Sequence, residues 1–439
     1  MNSLRLGLTP KMKPIAAKRS ALVAVLDLGT SKVVCLVGRL KPHAPQEVLR
    51  RRTHSIEVLG LGHTGARGMK AGNIVNLAEV EEAIRQAVDL AERSAGVQLE
   101  SVVVSLSAGR PSSEHIAATV DVPTAAVTNA DIARVLGAGS QYSVREGRAV
   151  LHSLPTDFVL DGARGIRDPR GMLGRKFGVD MHVVTADVAG ARNVMLAVER
   201  CHLAVEAMVA SPYVAGLSAL ADDEADLGAA LVDMGAGTTS IAVFSGGRFI
   251  HADGFALGGR HVTMDLARGI NARISDAERI KTLHGSLQTG TSDEHEMVSV
   301  PAVGDRSEPP QVVSRASLVR IIKPRVEEIL EMVRDRLKAS PFAAEPRGSV
   351  VLTGGASQLA GLPELAGRIL KRPVRIGRPL GIAGLPEAAK GPAFAVATGL
   401  LVYPQTAHLE HFEPRHTRQM LTGTGGYITR VGRWLRESF

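Results

Sequence analysis

The sequence predicts an α/β chain built as two related domains that close on a nucleotide cleft, with modules inserted into both. Three observations point there. Leu22–Gly38 (LVAVLDLGTSKVVCLVG) and Ala230–Gly247 (ALVDMGAGTTSIAVFSGG) repeat one device: an apolar strand, Asp-x-Gly, a hydroxyl-bearing turn, and a second apolar strand. Asp27 aligns with Asp233 and Gly29 with Gly235. A further apolar strand, Ser349–Ser357 (SVVLTGGAS), breaks into a Gly-Gly turn that lets backbone approach a flat base or ribose closely.

The chemistry of the paired turns suits a phosphate. Successive N–H groups in such a turn form an anion-binding concavity, and Thr30, Ser31, Thr238 and Thr239 add hydroxyl donors. The aspartates ahead of the turns would meet the hydrated Mg²⁺ that accompanies phosphates. Either turn alone reads equally well as an ordinary hairpin with no ligand. Their duplication in one chain, together with the Gly-Gly turn, favours the nucleotide.

Length and composition set the outer bounds. The 439 residues allow two to four domains with substantial cores. Aromatic residues are only 3%, which argues against a nucleic-acid surface built on base stacking. A net charge of +8 implies an acidic partner. Much of the excess is terminal: Arg5, Lys11, Lys13, Lys18 and Arg19 carry no acid among them, and Arg430, Arg433 and Arg436 close the chain. Two cysteines, Cys35 and Cys201, fit a reducing compartment and offer no thiolate metal site. With neither an apolar run long enough to span a bilayer nor a signal-peptide core, a cytoplasmic protein is expected.

Along the chain, residues 1–20 read as a basic flexible arm. After the first hairpin come a strand at Ile56–Gly62, an amphipathic helix at Leu77–Ser94 and a buried strand at Val102–Leu106. Residues 102–182 read as an inserted module, with strand-like runs at His115–Val120, Ala149–Leu154 and Asp157–Leu160 and a helix at Asn129–Ala138. The first domain, begun over 21–101, resumes over 183–221, and Asp222–Asp226 reads as an acidic surface link. The second domain (222–271) repeats the hairpin, adds a strand at Arg248–Phe255 and opens a helix after Gly258-Gly259. Residues 272–344 form its insertion, polar and irregular over 285–311 and closed by a long helix at Ser317–Lys338. Residues 345–403 complete the domain, 404–426 read as a flexible linker, and 427–439 as an amphipathic helix.

Several strings make the pattern specific: MKAGNIVN (69–76), GRAVLHSLPTDFVLDGARGIRDPRGMLG (147–174), GGRHVTMDLARGI (258–270), AERIK (277–281) and IIKPRVEEI (321–329). The chain resembles the actin, heat-shock chaperone and sugar-kinase superfamily, and within it is similar to the FtsA family of bacterial cell-division actin homologues. The resemblance implies an actin-like duplicated two-domain fold in which an inserted subdomain 1C (102–182) replaces subdomain 1B. It also implies ATP with Mg²⁺ as cofactors. By position, Asp27, Gly29, Thr30, Ser31 and Lys32 correspond to the first phosphate loop, and Asp233, Gly235, Gly237, Thr238 and Thr239 to the second. Gly354, Gly355 and Ser357 correspond to the adenosine motif, with Glu278 and Lys281 at ribose and adenine; this last pair reads equally as an exposed ion pair of little worth. Asp27 and Asp233 would reach Mg²⁺ through water.

One departure tempers the expected activity. Many superfamily ATPases place Glu or Gln at the start of the helix between the domains to orient the attacking water. Here that segment is MVASPYVAGL (208–217), with Ser211 before Pro212 and neither a carboxylate nor an amide. Tight Mg-ATP binding with at most slow hydrolysis is expected, and no catalytic residue is assigned.

The C-terminus carries a separate signal. On a helical wheel Tyr427, Ile428, Val431, Trp434, Leu435 and Phe439 fall in one arc of about 140°, opposite Arg430, Arg433 and Arg436. A basic amphipathic helix on a polar tether fits an anchor on an anionic membrane surface, and docking on the protein's own core is the alternative. The helix is only ~20 Å long. A single copy should therefore hold reversibly, and several copies on one polymer far more tightly.

By resemblance, the partners are the C-terminal peptide of the tubulin-like ring protein FtsZ at subdomain 2B (272–344), an FtsN-like late division protein at subdomain 1C, and further copies of the chain in a filament; nucleic acid is not expected. The expected location is peripheral, on the cytoplasmic face of the inner membrane at the division site. A PilM-like pilus-assembly homologue and a small-molecule kinase of the same superfamily are the competing readings. Two weaker motifs are set aside: Gly60–Gly65 matches GxGxxG but opens no helix, and His408, His411 and His416 lie in the expected linker without further ligands.

Overall fold

The computed structural model describes residues 12, 14–16, 18–43, 49–108, 110–124, 126–141, 144–290, 293–301, 303 and 309–412. The basic amphipathic segment at 427–439, His416, and the linker beyond Phe412 lie outside the described residues.

Strand β1 (Ala21–Leu28) and β2 (Lys32–Pro42) form the first hairpin, with Asp27 opposite Val34, and β3 (His54–Gly65) extends it. A two-residue ladder, β4 (Met69–Lys70) with β5 (Asn73–Ile74), leads into α1 (Leu77–Ala95). The Asn76 side chain caps α1 by accepting from Glu79 N–H, and Gly96 ends it in the left-handed conformation. Val80, Ile84, Ala87, Val88 and Ala91 share the buried face of this helix. Gly60 and Gly62 explain the GxGxxG string here: a Cβ on Gly62 would stand 1.9 Å from Ala87 O and one on Gly60 2.3 Å from Ala91 O. The glycines let α1 lie directly on β3.

Strand β6 (Ser101–Leu106) pairs in parallel with β1, so 102–106 belongs to the first domain and the inserted module begins after it, later than expected. The module comprises β7 (Ser112–Asp121), α2 (Asn129–Gly139), β8 (Arg148–Leu160), β9 (Ala163–Ile166) and β10 (Lys176–Asp187). They make an antiparallel sheet in the order β7-β10-β8-β9 over a core that includes Val135, Phe177 and Met181. The two runs expected at 149–160 are one strand, its register against β10 shifting between Asp180 and Met181. The chain returns through α3 (Val188–Glu199) to β11 (Ala204–Ala210), parallel to β6, and then to α4 (Ser211–Ala219).

The supposed acidic link is a short helix, α5 (Asp222–Leu227). It is tied to the first domain by Arg50–Asp223 at 2.8 Å and by Arg51 N–H donating to Asp222 at 2.9 Å. The second domain follows with the hairpin β12 (Ala229–Met234) and β13 (Thr239–Ser245), then β14 (Arg248–Phe255), α6 (Gly259–Gly269) and α7 (Ile274–His284). Within the stretch read as irregular, β15 (Met297–Val300) pairs with β16 (Gln311–Ser314) and leads into α8 (Arg315–Lys338). Then come β17 (Ser349–Thr353), α9 (Leu362–Leu370), β18 (Val374–Ile376), β19 (Ile382–Ala383) and α10 (Ala395–Val402).

Two sheets result, in the orders β11-β6-β1-β2-β3-β19 and β14-β13-β12-β17-β18. In each, an antiparallel hairpin is flanked by a parallel strand: β1 by β6, and β12 by β17. Helices α4 and α10 fill the space between the domains. Every residue of α10 is buried, and a Cβ on Gly399 would stand 1.8 Å from Val214 O in α4. Ser218 and Thr398 hydrogen-bond between the two helices at 2.7 Å. Such helices are apolar all round because both faces pack on protein.

Both expected flexible ends are partly structured. Met12 is buried in the first core with Ile15 packed against it, and His54 Nε2 donates to Arg19 O at 3.0 Å. Residues 404–412 are no linker. Gln405 is buried and its Oε1 accepts from Thr53 and His54 N–H, each at 2.9 Å. Phe412 packs on the module's core. Among the described residues, no helix is long and apolar enough to cross a membrane.

Candidate functional site: two facing turns

The duplicated hairpins match at the level of single hydrogen bonds. Gly29 N–H donates to Lys32 O at 3.0 Å in the first turn, and Gly235 N–H to Thr238 O at 2.9 Å in the second. The turns face one another. A Cβ on Gly237 would stand 2.6 Å from Thr30 Oγ1 and 2.8 Å from Thr30 Cγ2. Thr30 Oγ1 accepts from Gly72 N–H at 3.1 Å, which holds the tip of the first turn against the segment after β4. Ser31 in the first turn is exposed, and Thr238 in the second is half-buried.

Both aspartates sit behind their turns on strand ends. Ser105 Oγ donates to Asp27 Oδ1 at 2.6 Å and accepts from Leu28 N–H at 3.2 Å. Burial pushes the Asp27 carboxyl up, against the opposing effects of Ser105 and Lys32. Asp233 is pushed up to about 7 by burial first and by the neighbouring Asp27 second, with Lys32 opposing. A buried Asp27 that raises its neighbour Asp233 makes with it a hard-oxygen pair of the kind a hydrated divalent cation would relieve. Lys32 reaches across to the second half: its Nζ donates to Ala393 O at 2.5 Å and lies 3.6 Å from the centre of the Phe394 ring. Burial holds this lysine below its usual range, and Asp27 and Asp233 resist the shift.

The Gly-Gly turn closes the site on the second side. Gly354 has φ +85°, and a Cβ there would stand 2.4 Å from Asp233 Oδ1, so only glycine fits. A Cβ on Gly355 would meet open space. Ser357 is buried and donates to Gly354 O at 2.8 Å, so its hydroxyl braces the loop. Thr239 is likewise turned inward, donating to Leu257 O at 2.9 Å. Neither hydroxyl is presented as a free donor.

The start of α6 docks on the second turn. Gly259 N–H donates to Gly235 O at 2.9 Å and Arg260 N–H to Ala236 O at 2.8 Å; a Cβ on Gly258 would stand 2.4 Å from Gly235 O. Lys281 meets this junction, its Nζ donating to Gly259 O (3.1 Å), Thr263 Oγ1 (2.8 Å) and Glu278 Oε2 (2.8 Å). The Lys281 side chain is 11% exposed and that of Glu278 53% exposed, so the pair is neither fully solvated nor fully enclosed. Lys281 and the turn after Gly354 share one wall, since a Cβ on Gly259 would lie 3.0 Å from Ala356 Cβ and 3.7 Å from Lys281 Nζ.

Ser105, Gly72, Gly258, Ala393 and Phe394 belong to this constellation and were not picked out from the sequence. Ser105 had one available signal, a lone hydroxyl in the apolar run VVVSL. The first turn of α4 presents Ser211, Pro212, Tyr213 and Val214, and Ser211 Oγ lies 2.7 Å from Ser107 Oγ. No carboxylate or amide stands there.

Comparison with known proteins places the chain. A family model described as "Cell division protein FtsA" matches residues 230–399, and one described as "SHS2 domain inserted in FTSA" matches 108–185, the inserted module. The cell division protein FtsA of Agrobacterium fabrum (strain C58) is 53% identical over 433 residues, covering 98% of each chain. Among solved structures, the PilM-PilN type IV pilus biogenesis complex superposes with a TM-score of 0.57 at 17% identity, covering 87% of this chain and 98% of that one. MreB 5 of Spiroplasma citri bound to AMPPNP gives 0.52 at 13% identity, covering 89% and 97%. The fold is actin-like with an SHS2 insertion. PilM shares that fold at low identity, whereas the 53% match runs the length of the chain.

Proposed function

The chain belongs to the FtsA family of cell division proteins, and we propose that it binds ATP with Mg²⁺ between its two turns and assembles on the membrane to anchor the FtsZ ring. The observation that supports the nucleotide reading is the meeting of Thr30 with Gly237, which sets the tips of the two turns against one another between the domains. The MreB 5 structure of related fold was solved with AMPPNP.

In this reading the backbone of Gly29–Ser31 and Gly235–Thr238 takes the phosphates from opposite sides. Lys32 supplies a cation at the same place, and Asp27 and Asp233 hold water around the metal. Bound Mg²⁺ would neutralise phosphate charge and relieve the repulsion between the two aspartates. Gly354 and Gly355 leave a flat wall for ribose and base, with Lys281 and Glu278 beyond it. Because α4 begins with Ser211, nothing there orients a water for attack, and turnover is slow. ATP would favour the closed arrangement of the domains by binding it better, and closure would favour filament contacts.

The remaining parts of the proposal are the terminal segment and the partners. Ile428, Val431, Trp434, Leu435 and Phe439 would enter an anionic membrane surface with Arg430, Arg433 and Arg436 at the headgroups, on the cytoplasmic face at the division site. FtsZ would bind the second domain's insertion through its C-terminal peptide, and an FtsN-like protein the inserted module.

The test is titration calorimetry of the full chain with ATP, with and without Mg²⁺, followed by co-pelleting with FtsZ on liposomes of anionic lipid. Metal-dependent ATP binding with FtsZ recruited only to liposomes that carry the chain is the expected result. Absence of nucleotide binding in wild type, or FtsZ recruitment unchanged by Trp434→Glu, would overturn the reading.

A further inference from the structure

A cavity lies at the opposite ends of the strands that carry the turns. It is lined by the β2–β3 connection (Leu49, Arg51–Thr53) and by the β13–β14 turn (Gly246–Phe249), each at the far end of a turn-bearing strand. Strand β13 runs seven residues from Thr239 to that end, roughly 20 Å. The cavity measures about 540 Å³, within the range of small-molecule sites.

Its floor is aromatic. Tyr213 of α4 stacks on Phe249 at 4.5 Å between ring centres, and Phe244 lies 5.5 Å from Phe249. Leu154 of the inserted module and Leu409 of the terminal turns complete apolar walls, and Leu409 is 47% exposed at the mouth. First domain, module, second domain and the turns after α10 all contribute. The rim is cationic. Arg51, Arg52, Arg167 and Arg248 line the cavity against one carboxylate, Asp222. Arg51 is paired with Asp226, Arg248 with Asp157, and Arg52 donates to the carbonyls of Leu217 and Leu380. Arg167 is exposed and forms no hydrogen bond or ion pair among the described residues.

We propose that this cavity binds a small amphiphile with one anionic head group, its apolar body on the Tyr213, Phe244 and Phe249 rings and its head at Arg167. Each of these rings is only 4% exposed, so the body would meet the ring edges that line the cavity and the exposed Leu409 at its mouth, and the gain is the apolar area it covers. The surplus of guanidinium over carboxylate selects the sign of the head group. A basic peptide, including the chain's own arginine-bearing terminal segment, meets like charge at this rim. Occupancy would also favour one angle between the domains, since the walls belong to both. The site stands apart from the nucleotide reading and survives its failure.

The probe is 8-anilinonaphthalene-1-sulfonate, an aromatic body with one anionic group, titrated into the full chain and followed by fluorescence. Dodecanoate, dodecyl phosphate and uncharged dodecanol, each below its aggregation limit, then compete for the probe. Arg167→Glu and Leu409→Glu change exposed side chains, so the fold is retained. Each is expected to weaken probe binding by roughly tenfold, while Arg167→Lys stays near wild type. Both anionic competitors should displace the probe at lower concentration than dodecanol, and the better of the two identifies a carboxylate or a phosphate head. Probe affinity unchanged in both glutamate variants would overturn the proposal, as would affinity lost in Trp434→Glu alone, which would put the probe on the terminal segment. Dodecanol competing as well as the anions would remove the role given to Arg167.

Discussion

Gly237 of the second domain lies directly against Thr30 of the first, so close that a Cβ at position 237 would fall 2.6 Å from the threonine hydroxyl. The two copies of the hairpin therefore meet tip to tip. Gly237→Val should wedge the tips apart while leaving both cores intact. ATP affinity by calorimetry is expected to fall by about tenfold or more, ~1.4 kcal/mol, with little change in thermal midpoint. An unchanged affinity would mean that the tips do not grip the phosphates.

Ser105 holds Asp27 in place while accepting from Leu28 N–H. Ser105→Ala leaves that buried N–H and one carboxylate oxygen without their partner, which costs about 1–3 kcal/mol. Denaturant unfolding should report the loss, and Ser105→Thr, which keeps the hydroxyl, should recover part of it.

Glu410 roots the segment that follows α10. Its Oε1 accepts from Tyr403 OH at 3.0 Å and from His152 Nδ1 at 2.9 Å, while His152 Nε2 accepts from Ala210 N–H just ahead of α4. A neutral His152 thus carries its proton on Nδ1. Glu410→Ala orphans two buried donors, an expected loss of about 2–5 kcal/mol by urea unfolding. It should also speed proteolytic cleavage near residues 404–412. Cleavage at the wild-type rate would show that the network does not hold this segment down.

His182 joins the inserted module to the second domain. Its Nδ1 donates to Phe249 O at 2.9 Å and its Nε2 lies 2.8 Å from Ser113 Oγ, which also bonds Ala252. Burial, then His115, with smaller contributions from His251 and His152, pushes it down to about 3 from an ordinary 6.5. The folded state therefore favours the neutral ring. This contribution to stability is fully present above pH 6.5 and is lost progressively as pH falls towards 3. Urea midpoints at pH 7.5 and pH 5 should differ in that direction, and the difference should shrink in His182→Gln. An equal pH dependence in the variant would assign the effect to other groups.

How much of this was legible depended on whether the signal was local. Aspartate, glycine and hydroxyl residues at fixed spacing announce a turn by their own backbone and side-chain chemistry, so both hairpins and the Gly354 turn were readable from residue order. Helix α1 was readable for the same reason, through its 3.6-residue period. The structural reason for Gly60 and Gly62 was not legible, since the strand–helix contact they permit involves α1, some thirty residues on. The short strands β15 and β16 and the ordered turns past Tyr403 went unread. Their stability comes from partners distant in the chain, such as Gln405 against Thr53 and His54.

Residue order by itself determined that the chain carries two copies of one glycine- and hydroxyl-bearing turn on an α/β frame, because backbone torsions and apolar periodicity act over a few residues. Only the tertiary structure decided that the copies face each other, that Thr239 and Ser357 turn their hydroxyls into the protein, and that the module's edge and the turns after α10 close a cavity with arginines at its rim. Those outcomes depend on how α4 and α10 set one sheet against the other, a packing of surfaces that no single stretch of sequence encodes.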